Sequence, residues 1–161
     1  MAERHFGLAE AKDVRALAGI EFLRAMMAGD LPAPLMSRTL GFRLVEAGEG
    51  VAVFEGEPSP NLLNPLGAVH GGWALTLIDS ATGCAVHTTL PPGVGYTTVE
   101  TKVNFTRAIA PDGGTLRCEG RVVTRGRRIA TAEARLLDAE GRVLAHGTST
   151  LMILEARQGQ S

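Results

Sequence analysis

The chain has 161 residues, of which 45% are hydrophobic and 20% charged, so it is long enough for one sizeable core and too apolar for a disordered chain. Its 16 Lys and Arg nearly balance its 17 Asp and Glu. Because the basic residues are also scattered along the chain, we expect no nucleic-acid partner.

The first predicted element is a helix over residues 9–28, where apolar residues recur at spacings of three to five with charges between them. The stretch "GDLPAPL" ends it, because Gly29 and two prolines cannot continue a helix. We expect residues 1–34 to form this helix and a linker, which pack on a domain spanning residues 35–155. Residues 156–161 are expected to form a flexible tail.

Two short strands are predicted next, in "LGFRLVEAG" and "GVAVFEGE". Leu40, Phe42 and Leu44 alternate with other residues in the first, and a turn around residues 48–50 separates the two. The stretch "PSPNLLNPLG" follows as a loop, because it holds three prolines and two asparagines.

The longest predicted helix runs from about Gly72 to His87 and is apolar almost all round, so other elements must enclose it. Four strands follow, separated by the turns "PDGG", "GR" and "DAEGR". In the first of them Val99, Val103 and Phe105 are expected on one face. The stretch "RRIATAEARLL" could also form a helix, but the strong turns on either side favour a strand. The prediction is an α+β domain, in which a strongly bent antiparallel sheet wraps a long central helix, with an extra N-terminal helix.

Cysteine usage and hydropathy indicate the compartment. The two cysteines, Cys84 and Cys118, form no CxxC pair, so we expect reduced, structural thiols. No apolar stretch approaches the roughly 18 residues that span a membrane, and the N-terminus lacks the apolar segment of a signal peptide. We therefore expect a cytoplasmic protein without a membrane partner.

Asp79 interrupts the apolar central helix. On a helical wheel its side is small and partly polar, whereas the other side is core. The residues on the Asp79 side are Gly72, Thr76, Thr82 and Gly83, and those opposite are Ala74, Leu77, Ala81 and Cys84. A buried carboxylate without a partner costs several kcal/mol or takes up a proton. A structural role, accepting hydrogen bonds from a neighbouring strand or subunit, is one explanation, and an acid/base role is the other.

The residues before Asp79 favour an acid/base role for it over a structural one. His70, Gly71 and Gly72 lie where the helix begins, and helix N-termini present free N–H groups that suit a carbonyl oxygen becoming negative. Asn64 could donate an amide N–H to the same oxygen. The four histidines have no ligand spacing, so we expect no metal and no cofactor. Water attacking an activated acyl group, with the carboxylate as base or nucleophile, fits these residues.

Asn64, then His-Gly-Gly six residues on, then Asp79 nine residues after His70, resembles the pattern of the hotdog-fold acyl-CoA thioesterases. The resemblance is closest to the phenylacetate-pathway, PaaI-like branch of the 4-hydroxybenzoyl-CoA thioesterase superfamily, and it covers about residues 35–154. It implies a hotdog fold and hydrolysis of an acyl-CoA. Coenzyme A would then be part of the substrate rather than a cofactor.

The resemblance also implies roles. Gly71 would donate its backbone N–H to the thioester carbonyl, helped by Asn64, and Asp79 would activate water or attack directly. His70 would lie near the sulfur or orient the loop. A Ser or Thr on the following strand would position the water, for which Thr98 aligns best and Thr97 is one step away. The homodimer would pair sheets edge to edge, so that Gly71 of one subunit faces Asp79 of the other, and dimers would pair into tetramers.

Further residues are expected at the substrate. Gly72 and Thr97 are candidates for contacts with it. Trp73 and Phe105 could touch the acyl group, although core packing is favoured for Phe105. Basic residues near strand ends and a turn could bind the CoA phosphates. The alternative is that they are ordinary solvent-exposed arginines without a binding role. They are Arg107, Arg125, Arg127 and Arg128.

Two other functions remain open on this fold. One is a dehydratase or hydratase acting on acyl thioesters, although no second acid/base set of that kind is recognisable. The other is a hotdog domain that binds acyl-CoA without turnover. Aromatic, medium-chain and dicarboxylic acyl groups are all open as substrates.

Overall fold

A computed structural model describes residues 5–155 of the chain, so the predicted tail at 156–161 lies outside the described residues. The helices are α1 (Ala11–Ala16), α2 (Gly19–Ala28), α3 (Leu35–Leu40) and α4 (Gly71–His87), with one 3-10 turn at Pro60–Leu62. The strands are β1 (Phe42–Gly48), β2 (Val51–Gly56), β3 (Gly95–Phe105), β4 (Leu116–Arg125), β5 (Ile129–Leu137) and β6 (Val143–Leu154).

The six strands form one antiparallel sheet in the order β1-β2-β4-β5-β6-β3, and α4 contacts every strand. The predicted α+β hotdog architecture is therefore confirmed. The sheet approaches α4 closely at Gly120, where a Cβ atom would lie 2.4 Å from the carbonyl oxygen of Ala81. The core lies between sheet and helix, and the α4 residues with no exposed surface are Ala74, Leu77, Ile78, Ala81, Thr82, Ala85 and Val86.

The prediction of one continuous N-terminal helix is wrong, because the helix is interrupted between α1 and α2. Leu17 and Ala18 are extended, with ψ angles of 142° and 151°. The backbone N–H of Gly19 then donates a 3.0 Å hydrogen bond to the carbonyl of Leu90, beyond the end of α4. A Cβ at Gly19 would lie 1.8 Å from the carbonyl oxygen of His87. The break therefore lets α2 dock against the C-terminal end of α4.

Helix α3 was not predicted, and Leu40 belongs to it rather than to the first strand. The helix ends at Gly41, whose φ of 67° lies in the left-handed region that favours glycine. Phe42 and Leu44 then point into the core from β1, as expected.

Strand β3 contains an irregularity that changes which residues face α4. Its register against β6 shifts between Thr98 and Glu100, which leaves Val99 as an extra, exposed residue. The expectation that Val99 shares a face with Val103 and Phe105 is therefore wrong. Thr98 and Thr101 both lie on the inner face, because their β6 partners, Leu151 and Ser149, are buried there. Strand β5, the ambiguous stretch, is a strand as predicted.

Within residues 5–155 both cysteines are free thiols. In that same range, none of the helices has the length and apolar character that a membrane crossing requires.

Candidate active site

Asp79 lies in the middle of α4 and is held by a chain of hydroxyl groups. Thr101, on β3, donates a 2.9 Å hydrogen bond to Oδ1 of Asp79. The Thr101 hydroxyl is 3.0 Å from that of Ser149, on β6, which is 2.7 Å from the hydroxyl of Thr82, one turn further along α4. The carboxylate is thus oriented by β3 and, through Thr101, by β6. No group within residues 5–155 donates to its second oxygen, which is left for another partner.

The N-terminus of α4 is capped in a way that leaves one N–H available. Nδ1 of His70 accepts a 2.9 Å hydrogen bond from the backbone N–H of Gly72. Nδ1 therefore carries no proton, and Nε2 carries the proton of the neutral ring. The N–H of Gly71 has no hydrogen-bond partner among residues 5–155. It remains a free donor at the positive end of the α4 dipole.

The loop before α4 fixes the orientation of the Asn64 amide. Its Oδ1 accepts hydrogen bonds from the backbone N–H groups of Leu66, at 2.9 Å, and Ala68, at 3.2 Å. Backbone bonds between Asn64 and Ala68, and between Gly67 and Asn64, close the same turn. Because the oxygen is occupied, the Nδ2 group is the part of this amide left to donate to an acceptor outside the loop.

Gly71 and Asp79 are separated along the helix. They are eight residues apart on α4, which places them about 12 Å from each other along the axis at 1.5 Å per residue. An oxyanion donor and a base or nucleophile must both lie within about 3 Å of the reacting group. The free N–H of Gly71 and the carboxylate of Asp79 in one chain therefore do not serve the same carbonyl.

A cavity of about 230 Å³ opens beside Asp79, between α4, the first two strands and the N-terminal helices. Asp79, Ser80 and Cys84 line it from α4, and Tyr96 lines it from β3. The opposite wall comes from residues before and within the first two strands: Met26, Met27, Ala33, Pro34, Met36, Ser37, Phe42, Arg43, Leu44 and Phe54.

Cys84 lines this cavity together with Asp79, so its expected position on the opposite side of α4 is wrong. Burial raises the pKa of the Cys84 thiol to about 12, so the thiol is protonated at neutral pH. Burial also raises the pKa of Tyr96 well above its usual value, with the neighbouring Cys84 and Asp79 acting in the same direction. Both groups are therefore uncharged beside Asp79.

The structure places two aromatic side chains differently from expectation. Trp73 is only 3% exposed, and its indole N–H donates a 2.8 Å hydrogen bond to the carbonyl of Leu40, so it packs in the core. Phe105 was expected to pack in the core but is 55% exposed. Its ring lies against Gly71, where a Cβ would be 3.1 Å from Cζ.

The threonines of β3 also differ in position. Thr97 is exposed on the outer face, and Thr98 lies on the inner face. The hydrogen bond to Asp79, however, comes from Thr101. The bulge at Val99 brings Thr101 into line with α4, and strand alternation alone gave no signal for it.

The predicted arginines are all exposed. Across residues 5–155, Arg107, Arg125, Arg127 and Arg128 take part in none of the ion pairs. Arg107 borders an open groove that it shares with three other basic side chains, Arg135, Arg142 and His146. Arg107 follows Phe105 by two residues. Of the four predicted arginines it is therefore the nearest in sequence to the contact between Phe105 and Gly71. No group of three His, Cys, Asp or Glu in the described part of the chain is arranged to hold a metal ion.

Comparison with known proteins connects this geometry to a family. The family model described as the thioesterase superfamily matches residues 66–145. A conserved protein of Pseudomonas aeruginosa is 32% identical, with a TM-score of 0.70 over 74% of this chain and 94% of that one. A phenylacetic acid degradation-related protein of Ralstonia eutropha is 29% identical, with a TM-score of 0.73 over 81% of this chain and 98% of that one.

A third similar structure, from Streptococcus mutans, was solved bound to acetyl CoA. It is 25% identical, with a TM-score of 0.65 over 73% of this chain and 92% of that one. A search of curated protein sequences found no match.

Proposed function

The chain belongs to the thioesterase superfamily, and on that premise we propose that it is an acyl-CoA thioesterase in which Asp79 activates water while the Gly71 N–H and Asn64 polarise the thioester carbonyl. The observation that carries the proposal is the pairing of a free N–H at the start of α4 with an oriented carboxylate in its middle. The acetyl CoA bound to the similar Streptococcus mutans protein supports a CoA ester as ligand.

The reaction follows from these groups. The thioester oxygen accepts hydrogen bonds from the N–H of Gly71 and from Nδ2 of Asn64, which stabilise the negative charge it gains. The Asp79 carboxylate takes a proton from water as the water oxygen bonds to the carbonyl carbon. The C–S bond then breaks, the CoA sulfur leaves, and the proton from Asp79 reaches it. Direct attack by Asp79, through a mixed anhydride that water then opens, is the alternative for this step.

The site is proposed to lie between two subunits. Because Gly71 and Asp79 are about 12 Å apart along one helix, two copies of α4 running antiparallel would bring Gly71 of each to Asp79 of the other. Strand β3 lies at one end of the sheet order, so its free edge is available for pairing with a second copy. We infer a homodimer, or a dimer of dimers, whose sites each use both chains.

Other residues have supporting roles in the proposal. Thr101 orients Asp79, and His70 fixes the start of α4 through its bond to Gly72. Thr98 stays a candidate for positioning water. Gly72 and Thr97 stay candidates for substrate contacts. Arg107, with Arg127 and Arg128, is proposed for the CoA phosphates, since all three are exposed cations outside the ion pairs of the described residues. The free thiols agree with a reducing compartment, and we infer the cytoplasm.

A panel of acyl-CoA thioesters tests the function, with release of free CoA thiol as the readout. The wild-type protein should turn over at least one member of the panel. Asp79→Asn, which has nearly the same volume, should lower kcat by about 10²-fold or more because the base is lost. The melting temperature of each protein provides the control for folding. Near-normal turnover by a folded Asp79→Asn protein would rule out the role of this residue.

A further inference from the structure

The cavity beside Asp79 is closed by a segment that lies outside the region matched by the family. We call residues 19–40, which comprise α2, the linker and α3, the N-terminal segment. It contributes Met26 and Met27 from α2 and Met36 from α3, facing Asp79 on α4 across the cavity. These residues, like β1 and β2, precede the part of the chain that the family model matches, residues 66–145.

The lining of the cavity is apolar and adaptable. Three methionines, whose flexible thioethers fill irregular shapes, form much of one wall. Cys84 and Tyr96 are uncharged for the reasons given above. The charged groups in the lining are Asp79 and Arg43, and the guanidinium of Arg43 is already paired with the carboxylate of Glu55.

The size of the cavity limits what it can hold. A cavity of about 150 Å³ lined by apolar residues accommodates benzene, which has six carbons. At the same ratio, the cavity of about 230 Å³ has room for roughly nine carbons. Acetyl and propionyl groups would leave most of the space empty.

We propose that the N-terminal segment forms the acyl-binding wall of the site and selects uncharged aliphatic acyl chains of about six to ten carbons. This inference rests on the proposed thioesterase function, and it narrows the substrate from three open classes to one. A terminal carboxylate would be buried among apolar side chains without a free cation, because Arg43 is engaged by Glu55. An aromatic ring would fit the space but would use little of the flexibility that Met27 and Met36 provide.

A chain-length series tests the proposal. The wild-type enzyme is assayed with acetyl-, butyryl-, hexanoyl-, octanoyl- and decanoyl-CoA, together with phenylacetyl-CoA and the dicarboxylic adipyl-CoA. We expect kcat/KM to rise by about two- to fourfold with each CH₂ that enters the cavity, up to about eight carbons. Adipyl-CoA should be turned over at least about tenfold less efficiently than hexanoyl-CoA. A higher kcat/KM for adipyl- or phenylacetyl-CoA than for octanoyl-CoA would overturn the proposal.

Two variants of one residue should move the length preference in opposite directions. Met27→Phe reduces the space, so the ratio of octanoyl- to acetyl-CoA kcat/KM should fall by about tenfold. Met27→Ala enlarges it, so the ratio of decanoyl- to octanoyl-CoA kcat/KM should rise. Met36→Trp at the edge of the cavity provides a second narrowing variant if Met27→Phe folds poorly. Val14→Phe is the matched control, because Val14 is exposed on α1 and does not line the cavity.

Binding without turnover separates this proposal from the proposed function. S-alkyl-CoA thioethers cannot be hydrolysed. The difference in affinity between S-octyl- and S-ethyl-CoA, measured by calorimetry, therefore reports binding of the alkyl chain without turnover. Tighter binding of the octyl compound by wild type, with most of that advantage lost in Met27→Phe, supports the acyl wall even if the protein hydrolyses no member of the series. Equal octyl preference in wild type, Met27→Phe and Met36→Trp would overturn the acyl wall even if thioesterase activity is present.

Discussion

Thr101, on β3, donates a 2.9 Å hydrogen bond to Oδ1 of Asp79, on α4, and this bond ties the orientation of the carboxylate to the position of an edge strand. The same hydroxyl lies 3.0 Å from Ser149. An acid/base group must be held within a narrow range of positions, because a displacement of about 1 Å can cost 10²-fold in rate.

Thr101→Val should therefore lower kcat by about 10- to 100-fold with little change in KM, because Val keeps the shape of Thr but cannot donate to Asp79. Thr101→Ser should restore most of kcat, because it returns the hydroxyl. Steady-state kinetics on the best acyl-CoA provides both constants. Turnover equal to wild type in the Val variant would mean that the bond only fastens β3 to the helix.

Two variants of Asn64 separate the acceptor role of its Oδ1 in the loop from the proposed donor role of its Nδ2 at the thioester oxygen. Asn64→Asp keeps an oxygen to accept from the N–H groups of Leu66 and Ala68 but removes the amide donor, whereas Asn64→Ala removes both. Both should lower kcat by a factor of about 10 to 10³, as the loss of one oxyanion donor does in other enzymes. Asn64→Asp should keep more of the wild-type melting temperature. A rise in KM alone, with kcat intact, would assign Asn64 to ground-state binding.

Mixed dimers test whether each site uses two chains. Asp79→Asn and Asn64→Ala are each expected to be nearly inactive, and they are denatured and refolded together. One site of a mixed dimer then collects both defects and the other collects none. Since random pairing makes about half of the dimers mixed, roughly a quarter of wild-type activity should return. Activity that stays at the mean of the two variants, with mixed dimers verified, would place each site within one chain.

Stability at high pH should report the burial of Cys84. Burial raises the pKa of its thiol from 9.0 to about 12, so the folded chain keeps a proton that the unfolded chain releases. The free energy of unfolding should therefore be unaffected by this group below pH 9. It should fall as the pH rises from 9 towards 12, by up to about 1.4 kcal/mol per pH unit.

Urea denaturation at pH 7.5, 9 and 10 measures this effect, with Cys84→Ser as the matched variant because serine does not titrate in this range. Cys118 and Tyr96, whose pKa values are raised by burial as well, contribute in the same direction and remain in the variant. The variant should accordingly lose less stability above pH 9 than wild type. Parallel curves for the two proteins would show that Cys84 ionises with a normal pKa.

Much of the fold could be predicted because its signals are local. The apolar run of α4 and the turns between the later strands mark element types directly, and the spacing of Asn64, His70 and Asp79 indicates the candidate site. Helix α4 begins at Gly71, one residue before the predicted start.

The features that were missed depend on tertiary contacts. The break before Gly19 exists because α2 docks on the carbonyl of His87, which no local pattern encodes. The bond from Thr101 to Asp79 exists because a bulge at Val99 changes the phase of β3. The position of Cys84 beside Asp79 depends on how α4 is rotated against its neighbours, and a helical wheel carries no information about those neighbours.

Gly19 lies so close to the end of α4 that a Cβ would overlap the carbonyl oxygen of His87, and this contact bears on attempts to shorten the chain. A version that starts at residue 35 would retain all six strands and α4, yet it would lose Leu23 and Met26, which are buried in the main core. The uncovered surface would be apolar and contiguous with the cavity beside Asp79. Such a truncated protein should therefore aggregate or bind apolar dyes rather than behave as a minimal enzyme.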